Sequence, residues 1–160
     1  YDDPFRNVMS IMLNRNLRGD SSIIYGDGTQ TRCFSYVGDC VQCLEKMGLD
    51  ENIVYETINI GPDEDPITIK ELADLCANET GFNGRPIYYT RGRPQEVKHA
   101  TCSSDKARKL LNYKTTTSVK EAISKTANWI RENKPRDFKY HLPLEIINEK
   151  TPKTWTERRF

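Results

Sequence analysis

Two arginines, Arg32 and Arg93, lie in sequence segments whose residue types could bind a diphosphate. The segments are Tyr25-Gly-Asp-Gly-Thr-Gln-Thr-Arg32 and Arg93-Pro-Gln-Glu96. A guanidinium is planar and permanently charged, and it can hold phosphate oxygens two at a time. The glycines before Arg32 permit tight turns, and Glu96 could orient Arg93 or accept hydrogen bonds from ribose hydroxyls. On residue types alone, an exposed turn with surface salt bridges remains the alternative.

A shared diphosphate would constrain the two arginines. Their guanidinium groups should lie on one concave surface, on the order of 10 Å apart. Arg91 is expected to lie on the surface, although it would share a face with Arg93 if the preceding strand continued.

Complete motifs for catalysis, cofactor binding or metal binding are missing from the sequence. It contains no Gly-x-Gly-x-x-Gly turn, and no Tyr is followed four residues later by Lys. His99 and His141 have no nucleophilic pattern around them. Cys40 and Cys43 have CxxC spacing without a second pair or a His cluster. The five cysteines therefore predict reduced thiols in a cytoplasmic protein, with a redox or metal role as the alternative.

Composition fits a surface-rich module, or one that normally depends on another domain. Of 160 residues, 36% are apolar and 29% are charged, and 24 basic against 23 acidic residues leave a net charge of +1. Neither nucleic acid nor a membrane is expected as a partner. Because the chain begins at Tyr1 without Met, an N-terminal portion is expected in the complete protein.

Hydrophobic periodicity predicts more helices than strands. This pattern is typical of an α/β fold, or of α+β for an isolated piece. Strands or extended segments are predicted at 23–25, 34–37, 57–60 and 87–90. Helices are predicted at 5–18, 39–47, 68–80, 104–111 and 118–133. The pattern fades from Pro135, so residues 135–160 are expected to be a partly extended or mobile extension.

Three helix starts carry capping signals. Thr68 with Glu71, and Ser118 with Glu121, have the spacing of a capping box. Asp39 is predicted to cap the second helix, with Gln42 in the reciprocal position. Val41, Leu44 and Met47 are predicted to form the apolar stripe of that helix, which would stay partly exposed without the cofactor domain.

In combination, these motifs resemble one enzyme family. They resemble the C-terminal half of extended short-chain dehydrogenase/reductases that act on nucleotide sugars. The motifs that carry the resemblance are, in order, the segment from Tyr25 to Asp39, Asn59-Ile-Gly, the capped helix and Arg93-Pro-Gln-Glu-Val. The resemblance covers about residues 5–133. The sequence at residues 93–97 is most similar to that of UDP-sugar 4-epimerases. Cys33 departs from the family, where an acidic residue usually follows the arginine.

The resemblance implies roles for named residues. Arg32 and Arg93 would bind the diphosphate, and Glu96 would contact the ribose. Ile24 and Tyr25 would form the strand beside the nucleobase. Asp39 would be a structural helix cap. No catalytic residue is implied in this chain.

The resemblance also implies an architecture. Residues 1–134 would be the nucleotide-sugar substrate-binding portion of a Rossmann-type fold, with 35–61 packing on a missing NAD-binding domain. The missing N-terminal half would bind NAD and supply the Tyr/Lys pair, and the chain alone would be inactive. The complete enzyme would be a homodimer that interconverts UDP-sugars through a 4-keto intermediate. A decarboxylase or 4,6-dehydratase of the same family, and a non-catalytic module that binds a nucleotide or a protein, are the alternatives.

Overall fold

The computed structural model describes residues 1–89, 93, 96–141, 143–144 and 147–158, without the side chains of residues 89 and 154. The chain forms two compact units, each assembled from separate stretches of sequence. The first contains Tyr1–Gln30, Thr68–Lys98 and Ile123–Phe160. The second contains Thr31–Ile67 and His99–Ala122.

Helices dominate the described residues, and the strands are two or three residues long. The helices are α1 Val8–Leu17, α2 Val37–Leu49, α3 Ile69–Thr80, α4 Asp105–Leu111, α5 Val119–Asn133 and α6 Lys153–Thr156. The strands are β1 Ile23–Tyr25, β2 Thr31–Arg32, β3 Ile67–Thr68, β4 Ile87–Tyr89 and β5 His99–Ala100. This mixture confirms the predicted α/β class.

The first unit contains a short parallel pair of strands and a packed pair of helices. β1 and β4 are parallel, with Ile23 opposite Ile87 and Tyr25 opposite Tyr89. α1 packs against α3. The fully buried apolar side chains of this unit include Met12, Leu13, Ile24, Leu72, Ile123 and Ile130. Since apolar burial is the main stabilising contribution, these residues form the core of the first unit.

The first helix starts later than predicted. α1 begins at Val8 rather than at residue 5, because Asn7 has the left-handed backbone angle φ of 59°. Six consecutive residues, from Ile11 to Asn16, are buried. The buried side-chain amide of Asn14 donates to the backbone carbonyl of Arg136 at 2.8 Å. It also accepts from the backbone N–H of Arg136 at 3.0 Å. The start of the C-terminal extension is therefore hydrogen-bonded to α1.

The third helix confirms its predicted capping box. The Thr68 hydroxyl accepts from the Glu71 N–H at 3.0 Å, and the Glu71 carboxylate accepts from the Thr68 N–H at 2.8 Å. This backbone hydrogen bond, together with one from the Thr68 hydroxyl, holds the pKa of Glu71 below its ordinary value. Gly81 ends the helix at φ 70°, as predicted.

The second unit has its own small core. α2 packs against α4, and β2 pairs in parallel with β5. The core is made of Cys43, Ala107, Leu111 and Tyr113, with partly buried apolar residues around it, among them Met47, Ile58 and Ile60.

The predicted strand at 57–60 is wrong. These residues follow the alternation of a strand, since Ile58 and Ile60 pack on the core while Thr57 and Asn59 are exposed. A strand also needs a neighbour for its backbone groups. Among the described residues none pairs with this segment, and the following Gly61 donates instead to the Ser104 hydroxyl at 2.7 Å.

The predicted cap of the second helix is also wrong. α2 begins at Val37, two residues earlier than expected, and no side chain caps it. Asp39 lies inside the first turn. Its buried carboxylate accepts the backbone N–H groups of Thr116 at 3.2 Å and Thr117 at 3.3 Å, and also the Thr116 hydroxyl. Asp39 therefore fixes a distant loop instead of forming a capping box with Gln42.

The apolar stripe of α2 is largely exposed, as expected without the cofactor domain. Val41 is 51% exposed and Leu44 is 61% exposed, and Val37, one helical turn before Val41, is exposed as well. The buried apolar residue of this helix is Cys43. The helix thus turns Cys43 to the core of its unit and carries an apolar face that this unit leaves uncovered.

Candidate functional site

A depression of about 320 Å³ in the first unit gathers most of the site residues predicted from sequence. Its lining comes from the loops that follow β1 and β4: Tyr25, Gly26, Asp27, Thr29, Gln30, Arg93, Glu96 and Lys98. The two strands are parallel, so their carboxyl ends lie at the same edge of the sheet. In open α/β sheets, ligands bind beyond this edge.

The loop after β1 is a tight turn stabilised by its own side chains. Gly26 and the second glycine, Gly28, have φ angles of 67° and 75°, which favour glycine. The Asp27 carboxylate accepts the Thr29 hydroxyl at 2.7 Å and the Thr29 N–H at 3.0 Å. These hydrogen bonds lower the pKa of Asp27 from its ordinary value. Gln30 donates through its side-chain amide to the Tyr25 carbonyl at 3.1 Å.

This turn docks on the first residues of α3. The Lys70 N–H donates to the Gly28 carbonyl at 3.1 Å, and the Ile69 N–H donates to the Gln30 carbonyl at 3.0 Å. A Cβ atom on Gly28 would lie 3.0 Å from Ile24 Cγ2 and 3.2 Å from Lys70 Cβ. Only glycine fits this contact without displacement. Since the Ile24 side chain is fully buried, it supports the turn and offers no surface to a ligand.

Arg93 lies at the centre of the depression's polar contacts. Its Nε is 3.7 Å from the Glu96 carboxylate. Its guanidinium carbon is 5.4 Å from the ring centroid of Tyr25 and 5.5 Å from that of Trp155, both within cation–π range. The Arg93 side chain is 37% exposed and that of Glu96 is 23% exposed. The arginine is therefore held by protein groups while part of its surface faces solvent.

The charges of the depression suit a ligand that combines phosphate with hydroxyl groups. Arg93 and Lys98 are cations, and Asp27 and Glu96 are carboxylates. An anion alone would be repelled by the carboxylates, whereas a sugar hydroxyl can donate to them. Arginine offers paired N–H groups to phosphate oxygens. The arrangement can bind and orient such a ligand.

Arg32 belongs to the second unit. It lies on β2, and its Nη1 donates to the Thr31 carbonyl at 2.7 Å. The Thr31 hydroxyl contacts His99 Nδ1 at 3.1 Å on the neighbouring β5. Burial raises the pKa of the adjacent Cys33 thiol. Because Arg32 and Arg93 belong to different units, the expected proximity of their guanidinium groups stays a prediction, and Arg91 lies outside the described residues.

Sequence reasoning missed Lys98 and Trp155. Lys98 directly follows the Arg-Pro-Gln-Glu-Val motif in the sequence, and it lines the depression. Trp155 lies in the C-terminal extension, where the hydrophobic periodicity is weak. A large aromatic residue in an otherwise charged tail was the available signal, because exposing an indole to water is unfavourable.

Two further properties bear on function. In the part of the chain that the structure describes, no helix is long and apolar enough to cross a membrane. Over the same residues, no group of three or more His, Cys, Asp or Glu side chains could hold a metal ion.

A comparison with known protein families identifies the family of this chain. Residues 2–126 match the family model described as GDP-mannose 4,6 dehydratase. The chain belongs to this family. The resemblance to extended short-chain dehydrogenase/reductases of nucleotide sugars is thereby confirmed.

Individual relatives are enzymes of nucleotide sugars. The chain is 37% identical over 126 residues to a putative UDP-glucose 4-epimerase of Methanocaldococcus jannaschii, covering 79% of this chain and 39% of the relative. It is 30% identical over 137 residues to a UDP-N-acetyl-alpha-D-glucosaminuronate decarboxylase of Bacillus cytotoxicus, covering 82% of this chain and 42% of that protein. This chain thus spans about two fifths of the length of these relatives.

A solved structure extends the likeness to the fold. The UDP-glucuronic acid 4-epimerase of Bacillus cereus, in complex with UDP-glucuronic acid and NAD, superimposes with a TM-score of 0.74 at 26% identity. The match covers 80% of this chain and 40% of the epimerase. The short strands and the helices therefore represent one portion of a Rossmann-type fold.

Proposed function

We propose that this chain is the substrate-binding part of an NAD-dependent nucleotide-sugar 4-epimerase that interconverts UDP-sugars. The observation that carries the proposal is the depression in which Tyr25, Arg93 and Glu96 meet. Arg93 would bind the diphosphate, Glu96 the ribose, and the edge of β1 at Tyr25 would face the base. Arg32 would be the second arginine for the diphosphate.

The depression contributes binding rather than bond cleavage. Binding energy from the diphosphate, remote from the reacting carbon, can be used to orient the sugar. NAD supplies the hydride chemistry of such an epimerase when bound. We propose that NAD and the Tyr/Lys pair belong to an N-terminal half, which agrees with the lack of both sequence motifs in these 160 residues.

The second unit supports the proposed dependence on another domain. Val37, Val41 and Leu44 form an exposed apolar face on α2, and the segment 57–60 is extended without a strand partner among the described residues. Exposed apolar patches and unpaired extended segments are typical of interfaces. We propose that residues 35–61 pack on the NAD-binding domain.

A decarboxylase of nucleotide sugars is the second candidate. It is favoured by the 30% identity to the Bacillus cytotoxicus decarboxylase. The 4-epimerase is preferred because the Arg-Pro-Gln-Glu-Val motif at Arg93 is most similar to the corresponding sequence of 4-epimerases. A 4,6-dehydratase and a non-catalytic module that binds a nucleotide or a protein are further alternatives.

Binding and turnover test the proposal separately. The 160-residue protein should bind UDP more tightly than UMP, because UMP lacks the second phosphate. Calorimetry measures both affinities. Given NAD and UDP-glucose, it should produce no UDP-galactose unless an N-terminal half with the Gly-rich turn and the Tyr/Lys pair is added. Turnover by the chain alone would contradict the assignment of catalysis to the other half. Release of carbon dioxide from a UDP-uronic acid by the combined halves would favour the decarboxylase.

A further inference from the structure

The C-terminal extension reaches the depression through a single aromatic side chain. We infer that Trp155 is a positioning residue for Arg93, so that the C-terminal extension is part of the site that binds the nucleoside diphosphate. This inference rests on the proposed function. It concerns residues beyond the 2–126 family match, which ends before α6 begins.

Three side chains restrain the guanidinium of Arg93. The Tyr25 and Trp155 rings lie 5.4 Å and 5.5 Å from its central carbon, and the Glu96 carboxylate lies 3.7 Å from Nε. A long arginine side chain loses rotamer freedom when it binds a ligand, and this loss weakens binding. A guanidinium already held against two rings has lost part of that freedom before the ligand arrives.

Trp155 is itself fixed in place. It lies on the single turn of α6, where its backbone N–H donates to the Pro152 carbonyl at 2.9 Å. Its ring packs edge-on against Phe5, with centroids 5.3 Å apart and planes at 85°. Phe5 also contacts the rings of Tyr140, at 5.9 Å, and His141, at 6.0 Å. Two stretches of the C-terminal extension therefore meet on one N-terminal phenylalanine.

The indole suits this positioning role. A tryptophan face attracts a guanidinium more strongly than the faces of other aromatic residues do. The ring is rigid and has only two side-chain torsions, so its order costs little. It leaves the hydrogen-bonding edges of the guanidinium available for phosphate oxygens.

A purely structural role for Trp155 makes different predictions. If the indole only covers Phe5, its loss should lower stability without changing the affinity of the folded protein for UDP. If it positions Arg93, its loss should weaken UDP binding, and only in a protein that has Arg93. Trp129, the other tryptophan in the chain, provides a matched control because it packs edge-on against Tyr1 at 5.0 Å.

The test compares UDP affinity, by calorimetry, in the 160-residue protein and its variants. Trp155→Ala should weaken binding between about threefold and tenfold, the range of a partly buried cation–π contact. Trp155→Phe should recover most of that loss, and Trp129→Ala should stay within about twofold of the unmodified protein. In an Arg93→Ala background, Trp155→Ala should have no further effect.

Fluorescence adds a direct measurement of the contact. Trp129→Phe leaves Trp155 as the only emitting tryptophan. Its emission should change when Arg93→Ala is introduced and again when UDP is added to the Trp129→Phe protein.

Failure of the inference can be told apart from failure of the proposed function. If the unmodified protein does not bind UDP, the proposed function fails and the inference fails with it. If it binds UDP and Trp155→Ala binds as tightly, only the inference is overturned. Equal losses from Trp155→Ala with and without Arg93, or unchanged emission in Arg93→Ala, would also overturn it.

Discussion

Arg93 and Asp39 are both charged residues for which the sequence suggested a role, but their surroundings differ. The Asp39 carboxylate is buried, and its residue is 3% exposed. It is surrounded by three donors from Thr116 and Thr117. Arg93 is held by two rings and one carboxylate while 37% of its side chain faces solvent. A charge whose hydrogen-bonding capacity is used inside the protein stabilises the fold, whereas a restrained charge with an exposed edge is suited to a ligand.

Asp39→Ala should have the largest effect and tests the structural side of this comparison. It leaves two backbone N–H groups and a hydroxyl near the core without their acceptor. The free energy of unfolding should fall by about 3 kcal/mol, because a hydrogen bond to a charged group contributes roughly 1.5–3 kcal/mol. Urea unfolding of Asp39→Ala and of Asp39→Asn measures this, and Asn should lose less because it keeps one acceptor oxygen. A smaller loss in Asp39→Ala than in Asp39→Asn would contradict the structural role.

Arg93→Lys tests the binding side. Lysine keeps the charge but loses the planar pair of donors, so UDP affinity should fall by roughly 1–3 kcal/mol with little change in stability. Arg85→Lys is the matched control, because Arg85 is an exposed arginine of the same unit. Calorimetric titration with UDP decides between them. Equal losses at the two positions would end the assignment of Arg93 to the diphosphate.

Two glycines sharpen the comparison by separating backbone strain from close approach. Gly28 and Gly19 have similar φ angles, 75° and 86°, but a Cβ atom at Gly19 would meet nothing within 4 Å. Gly19→Ala should therefore cost about 1 kcal/mol from backbone strain alone. Gly28→Ala should cost roughly 2 kcal/mol, because it also displaces Ile24 or Lys70. It should weaken UDP binding as well. Thermal unfolding and UDP titration of both variants test this, and identical behaviour would show that the turn does not depend on its contact with α3.

The capping box of α3 should give the smallest effect. Thr68→Ala should cost about 1 kcal/mol near neutral pH. The pKa of Glu71 is lower in the folded protein than its ordinary value of 4.5. The corresponding stability is therefore present above that value and is lost as the pH falls through the folded pKa. Urea unfolding between pH 7 and pH 3 should show less acid sensitivity for Glu71→Gln, and an unchanged acid profile would argue against the predicted contribution.

Local signals in the sequence predicted local structure well. The Thr68–Glu71 cap and the stop at Gly81 involve only neighbouring residues, so the spacing of side chains was sufficient. The α4 and α5 helices were predicted to within a few residues for the same reason. Predictions failed where the decisive partner is distant in sequence. Asp39 has the residue type of a cap, yet its partners are Thr116 and Thr117.

The candidate site shows the same division. The motifs around Tyr25 and Arg93 identified residues that line one depression, and their resemblance to one family is confirmed by the match over residues 2–126. Residue types and spacing therefore determined the family and the chemistry of the depression. Only the tertiary structure placed Tyr25 and Trp155 against the same guanidinium, and only it turned Cys43 rather than Val41 or Leu44 to the core of its unit. The physical reason is that hydrogen-bond capping and turn formation are set by neighbouring residues, whereas burial and ring contacts depend on which distant segments the folded chain brings together.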